Sequence, residues 1–173
     1  MDERYRYFPL FYDLRGKQIL FVGGGRVAAR RIRVLLHFEG SITIIAPQLS
    51  RELLHLLNEN ENDAEAGVRL QQRQFMPKDL DGADLVFICT SDKKLNRDIF
   101  TLCAEKGIPA NDCSSRERCD FFFPSVAAGG SFLAGIISGG SDHKAMPHIR
   151  QRVSEILQEE AVSTAKSHDP FYL

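Results

Sequence analysis

No stretch of the sequence approaches the ~20 consecutive apolar residues of a membrane-spanning helix. The opening residues, MDERYRYFPLFYDLRGK, also lack the apolar centre of a secretory signal. Neither sign of charge is in excess: 22 Lys and Arg stand against 23 Asp and Glu, a net charge of −1. No global field therefore draws nucleic acid or an anionic membrane to the chain. The four cysteines, Cys89, Cys103, Cys113 and Cys119, form no CxxC pair, so no metal site is expected from them. Cys89 and Cys103 sit in apolar patterns that suit buried, reduced thiols. Internal repeats and low-complexity segments are absent. These absences lead to the expectation of a cytoplasmic protein with no nucleic-acid or membrane partner.

What is present is enough apolar material, 43% of 173 residues, for one full core and a small appended lobe. KQILFVGG reads as a buried strand and RVAARRIRVLLHFEG as a helix, with Val27, Ile32, Leu35 and Leu36 inward and Gly40 as its stop. SITIIAP is a second strand ended by Pro47, and SRELLHLLNEN a helix capped by Ser50. VRLQQRQF alternates as an edge strand would. ADLVFICT is a fourth strand, DKKLNRDIFTLCAEKG a helix closed by Gly107, and IPANDCS a fifth strand. Strands and helices alternating at these spacings predict an α/β, Rossmann-like parallel sheet over residues 1–115. Residues 116–173 form a different, α+β segment. Two apolar strands flank AAGGS as a hairpin, and a helix starts near Pro147 with Ile149, Val153, Ile156 and Leu157 on one face. KSHDPFYL reads as a loose tail. A hairpin and one helix make a poor core alone. A second copy of the chain is the expected partner, giving a homodimer.

The turn after the first strand carries the chemistry. Gly23, Gly25 and Ala28 fit G-x-G-x-x-A, with Gly24 in the variable position. The first glycine permits the tight turn, the second leaves room for a pyrophosphate, and Ala28 lets helix and strand approach. The helix start adds free N–H groups and a positive dipole end for the phosphates. The second strand ends in Ala46-Pro47-Gln48, not in the acid that usually grips a ribose hydroxyl. NAD and NADP therefore remain open on the residues alone. Arg30 and Arg31 read as solvated charges on the helix face, while Arg26 sits in the turn.

Together, YFPLFYDLRGKQILFVGGGRVAARR, ITIIAP, FICTSDKKLN, CDFFFPS and ISGG resemble, in order and spacing, the precorrin-2 dehydrogenase family of siroheme biosynthesis, which includes bifunctional dehydrogenase–ferrochelatases. The resemblance implies an NAD-binding domain followed by a dimerisation segment, and oxidation of precorrin-2 to sirohydrochlorin. Some relatives also insert ferrous iron, and whether this chain does so stays open. Carried over by position, cofactor contacts fall on Arg26, Val27, Pro47, Gln48, Thr90 and Ser91, besides Gly23 and Gly25. Substrate contacts fall on Asn111, Arg116 and Ser138.

One position departs from the family. Where its motif has a catalytic Asp, this chain has Ser114. Asp112, two residues earlier on the expected fifth strand, points to the same face and is the candidate to stand in for it. The alternative for Asp112 is a solvated acid at the strand end. The Ser-Pro that follows ISGG in the family is Asp142-His143 here. Two readings follow: an NAD-dependent dehydrogenase using Ser114 and Asp112, or a non-catalytic dimer of the same fold that binds NAD or a tetrapyrrole.

Overall fold

The computed structural model describes residues 7–60, 67–138 and 144–167. They divide into two units, one of residues 11–122 and one of residues 7–10 with 123–167. In the first, strands β1 (Gln18–Gly24), β2 (Ser41–Leu49), β3 (Val68–Gln71), β4 (Leu85–Ile88) and β5 (Ala110–Asp112) form one parallel sheet in the order β3-β2-β1-β4-β5. Helices α1 (Arg26–Leu35), α2 (Arg51–Glu59) and α3 (Lys93–Lys106) connect β1 to β2, β2 to β3 and β4 to β5, while β3 passes to β4 through a short 3-10 turn at Pro77–Leu80. This is the expected Rossmann-like α/β fold, with β3 at the sheet's edge. Between β1 and β4 the strand order changes direction, the place where such sheets hold ligands.

Period-two alternation sorts the core. Leu20, Val22, Val86 and Ile88 turn to the face where Ile99 and Cys103 of α3 pack. Phe21 and Phe87, paired in register, stack at 4.6 Å on the opposite face, and Phe121 meets Phe87 edge-on at 5.3 Å. Such aromatic pairs add about 0.5–1.5 kcal/mol each beyond their burial. Ser50 caps α2 by accepting from the Leu53 amide, and Asp92 caps α3 by accepting from Lys94 and Leu95. Gly107, at φ +67, closes α3.

Three local expectations change. Helix α1 ends at Leu35, before Gly40, and buries Ala28, Ala29, Ile32 and Leu35. Val27 is exposed, and Leu36 is only half-buried. Strand β2 runs through Pro47 to Leu49. Its pairing with β1 slips by two residues between Val22–Ile45 and Gly24–Leu49, so Pro47, which has no N–H, falls in the unpaired bulge.

The first unit also reaches beyond residue 115, to Phe122. Residues 113–117 turn, and 118–120 return antiparallel along the free side of β5. The Asp120 amide donates to Ala110 O, Asn111 bridges Cys119, and the Asp112 amide donates to Arg118 O. The Asp120 side chain accepts from the Ala110 amide at 2.9 Å.

In the second unit, β6 (Ser125–Gly129) and β7 (Phe132–Ile136) form an antiparallel hairpin, and α4 (Met146–Ser167) packs along it. A Cβ on Gly129 would stand 2.6 Å from the backbone of Leu157 and Gln158, so glycine lets helix and hairpin touch. The expected inward face of α4 is narrower than anticipated. Val153 and Leu157 are half-buried, whereas Ile149 and Ile156 are exposed by 41% and 53%. Two strands cover only a thin stripe of a helix. Lys166 and Ser167 belong to α4 and not to a tail. Asp142 and His143 lie outside the described residues.

Candidate functional site

The expected cofactor residues come together at the carboxyl ends of β1, β2 and β4. Gly23 has φ +112, and a Cβ there would meet the backbone of Cys89 and Thr90 at 2.6–2.8 Å. The turn thus lies directly against the end of β4. Gly24, in the variable position of the motif, is equally constrained: its Cβ would come within 2.6 Å of Gln48 O and 2.9 Å of Ala46 Cβ. Gly25 differs. A Cβ there meets nothing within 4 Å, and it would enter the open space that a diphosphate needs. Gly25 is also the N-cap of α1, with no side-chain cap and no acid in the helix's first turn. Unmet N–H groups and the positive dipole end are left for an anion. Around this gap Gly25, Arg26, Val27, Pro47, Gln48 and Ser91 are exposed, while Thr90 is half-buried. These features fit an NAD(P) diphosphate. Arg31 is not among them. Its Nη1 donates to Asn111 Oδ1 at 2.5 Å and its guanidinium covers the Phe87 ring at 5.4 Å, so it is no solvated charge.

Beside the gap a hydrogen-bonded chain joins β4 to β5. Thr90 Oγ1 donates to Asn96 Oδ1, and Asn96 Nδ2 donates to Thr90 O at 3.1 Å and to Ser114 Oγ at 3.2 Å. Ser114 Oγ donates to Asp112 Oδ1 at 2.6 Å, and the Ser114 amide donates to the same oxygen at 2.8 Å. Arg118 Nε donates to Asp112 Oδ2 at 2.7 Å. Asp112 is fully buried, not a solvated strand-end acid, and its charge is met by Arg118. Ser114 is exposed. An exposed hydroxyl whose proton leans on a buried carboxylate can accept a proton from a ligand while passing its own inward.

The expected substrate residues fare differently. Asn111 is buried, and its amide is taken up by Arg31, by Phe121 O at 2.7 Å and by Cys119 Sγ at 3.3 Å. It holds the fold together at this point. Arg116 is exposed in the turn beside Ser114. Ser138 lies in the second unit, just after β7.

Sequence reasoning missed Asn96 and Arg118 as members of this chain. Asn96 carried a signal: it is the polar residue in the inward stripe Asn96, Ile99, Cys103 of α3. It also missed the meeting of Cys89 and Cys113, whose sulfurs lie 2.9 Å apart. Cys89 is half-buried, and Cys103 alone is the buried thiol expected, its pKa pushed up to about 11 by burial. Among the described residues no group of three or more His, Cys, Asp and Glu side chains converges to hold a metal ion. Nor is any described helix long and apolar enough to cross a membrane.

Comparison with known proteins agrees with this geometry. The chain is 32% identical over 158 residues to the "Probable multifunctional siroheme biosynthesis protein HemA" of Ruminiclostridium josui, covering 91% of this chain and 30% of that protein. It is 32% identical over 160 residues to the siroheme synthase of Photorhabdus laumondii, covering 92% of this chain and 33% of that one. The chain thus spans about a third of the length of these curated relatives. Among solved structures, one titled "SirC, precorrin-2 dehydrogenase" superposes with a TM-score of 0.69 at 24% identity, over 92% of this chain and 76% of that one, a likeness of fold. A family model described as "Putative NAD(P)-binding" matches residues 10–125, the span that holds the sheet, the glycine turn and the Ser114–Asp112 pair. Matched over more than half its length and carrying the uncapped glycine turn, the chain belongs to this NAD(P)-binding family.

Proposed function

We propose that the chain oxidises precorrin-2 to sirohydrochlorin, with NAD taking the hydride, as a cytoplasmic homodimer. The observation that carries this reading is the Ser114–Asp112 pair, which sets a carboxylate 2.6 Å behind an exposed hydroxyl at the position of the family's acid. Bound NAD supplies the hydride acceptor. Gly25, Arg26 and Val27 in the turn would hold it, together with Pro47 and Gln48 of β2 and Thr90 and Ser91 after β4. Oxidation of the substrate releases a proton together with the hydride. Ser114 receives that proton and hands its own to Asp112, with Asn96 and Arg118 fixing the two groups. Arg116 offers its guanidinium to the substrate's carboxylates.

Support for the dimer comes from apolar surface left bare in the second unit: Phe132 and Leu133 of the hairpin, Ile137 just after it, and Ile149 and Ile156 of α4 are each at least 41% exposed. The siroheme-related names of the relatives favour the same substrate. The test is incubation of the protein with precorrin-2 and either NAD or NADP, following the absorption of sirohydrochlorin. Product should form with NAD. Binding of NAD without product would leave the non-catalytic reading standing and end the dehydrogenase one. Light scattering that gave a monomer at micromolar concentration would remove the dimer.

A further inference from the structure

We infer that Cys89 and Cys113 close into a reversible disulfide that staples the ends of β4 and β5 beside the candidate site. The two residues continue the strand register. Ile88 pairs with Asp112, and the Cys113 amide donates to Ile88 O at 2.9 Å, so the next residues on each strand stand opposite one another. Neighbouring strands run about 4.8 Å apart, within the roughly 4.4–6.8 Å that a disulfide spans between Cα atoms. The sulfurs already touch at 2.9 Å, and a bond requires them to approach to about 2.05 Å. Side chains at directly opposed positions share a face, so no strand has to rotate.

The two thiols have separate roles. The hydrogen bond from Cys89, and then the charge of Arg31, favour the thiolate of Cys113, and they outweigh burial and the opposing charge of Asp112. The same contact with Cys113, followed by burial, holds Cys89 in its protonated form. Cys113 is the attacking sulfur and Cys89 the resolving one. Cys119 is engaged elsewhere, donating to Ser115 O at 3.1 Å and accepting from Asn111 at 3.3 Å. Cys103 is buried on the inner face of α3, in the core.

The oxidant is a low-molecular-weight disulfide. Cys113 thiolate attacks one of its sulfurs, and the first thiolate leaves. Cys89 then gives up its proton and attacks the Cys113 sulfur, expelling the second thiolate. Two protein thiols lose two electrons and two protons, and the oxidant departs as two thiols. This makes the junction between Thr90 and Ser114 responsive to thiol–disulfide poise, whatever substrate the site takes.

The test uses the full chain, reduced and then exposed to glutathione disulfide. Free thiols are alkylated, and unreduced digests are mapped by mass spectrometry. The expected product is a peptide pair joined through Cys89 and Cys113, with Cys103 and Cys119 alkylated, and the linkage is lost on treatment with dithiothreitol. Cys89→Ser should accumulate a glutathione adduct at Cys113, whereas Cys113→Ser should show neither linkage nor adduct at Cys89. Four alkylated cysteines in the parent, or a linkage through Cys119, would overturn the inference. Peptide mapping of the parent decides this even where a variant does not fold.

Discussion

Replacing Asp112 by Asn removes a buried charge while keeping the side chain's size. The carboxylate now receives three hydrogen bonds, from Arg118 Nε at 2.7 Å and from the amide and hydroxyl of Ser114 at 2.8 and 2.6 Å. An asparagine amide has one acceptor oxygen. If that oxygen stays with Ser114, its NH2 faces the Arg118 Nε–H, donor against donor; if it flips, the clash moves to Ser114. Removing one partner of a buried ion pair costs about 3–5 kcal/mol, because the other charge is left uncompensated. Arg118 keeps 26% of its side chain in solvent and can partly rehydrate, which lowers the figure to about 2–4 kcal/mol. For a unit spanning residues 11–122 that corresponds to a fall in Tm of roughly 8–17 °C. Thermal unfolding followed by circular dichroism measures it. Hydrogen exchange should show the loss first at the amides of Asp112 and Asp120, which tie the return segment to β5. Arg118→Met should cost at least as much, because it strands a carboxylate that no solvent reaches, and in that background Asp112→Asn should cost less than it does alone. A Tm within about 1 °C of the parent would refute the structural role assigned to the pair. In that event any activity lost by Asp112→Asn would report chemistry alone.

The glycine turn gives a paired prediction: Gly25→Val should leave the melting temperature unchanged and weaken NAD(P) binding at least ~10-fold, while Gly24→Ala should cost about 1–3 kcal/mol of stability because its Cβ meets Gln48 O and Ala46. Equal cofactor affinity in Gly25→Val, by calorimetry, would move the diphosphate elsewhere. Ser114→Asp brings a second carboxylate within hydrogen-bonding reach of Asp112, and two like charges there cannot both ionise easily. The new acid should titrate above the usual carboxylate range and raise precorrin-2 turnover, by up to the ~10²–10⁴-fold of general acid–base help; an unchanged rate across neutral pH would count against the relay. In acid, Asp79 is held below its ordinary 3.8 by the Arg73 guanidinium, and Asp84 by the Gln18 amide and then Lys17. Depressed carboxylates contribute stability that is full above that ordinary value and fades as pH falls through the folded one. Asp79→Asn and Asp84→Asn should therefore flatten the acid limb of a stability–pH curve below about pH 4, and a limb of parental steepness in both would dismiss these groups as its source.

The sheet was legible in the sequence because its signals are local. Apolar runs, the Ser50 and Asp92 caps and Gly107 each specify an element within a few residues. The turn was legible for the same reason, at Gly23 and Gly25. Gly24 was not, since what forbids a side chain there is the bulge of β2, some twenty residues later in the chain. Pro47 misled in a related way: it stops a strand only where its N–H is required, and the register slip removes that requirement. At the site, the i and i+2 spacing of Asp112 and Ser114 placed the two residues side by side. It could not show that a bond joins them, because Ser114 lies in the turn after β5. Arg118, Asn96 and Arg31 reach their partners across 6, 18 and 80 residues of sequence. No periodicity reports contacts of that kind. The faces of α4 were misjudged because amphipathicity marks apolar positions without saying which of them one's own chain will cover.

The return of residues 118–120 along β5 has a consequence for behaviour at high concentration. A sheet's outer strands carry rows of unmatched N–H and C=O groups that can recruit a strand from another molecule. Here the chain blunts its two margins by different means. Strand β3 is four residues long and sets the exposed Arg69 in its middle. Strand β5 has its margin filled: the amides of Ala110 and Asp112 and the carbonyl of Ala110 are all engaged by the segment that follows. The fastening of that segment includes the ion pair between Asp112 and Arg118. Loosening it would bare the amides and carbonyls of β5 beside Phe87 and Ile88, and the loosened protein should aggregate on warming before it unfolds as a whole. By this reasoning the residues gathered around Ser114 also guard the sheet's margin against pairing with a strand of another molecule.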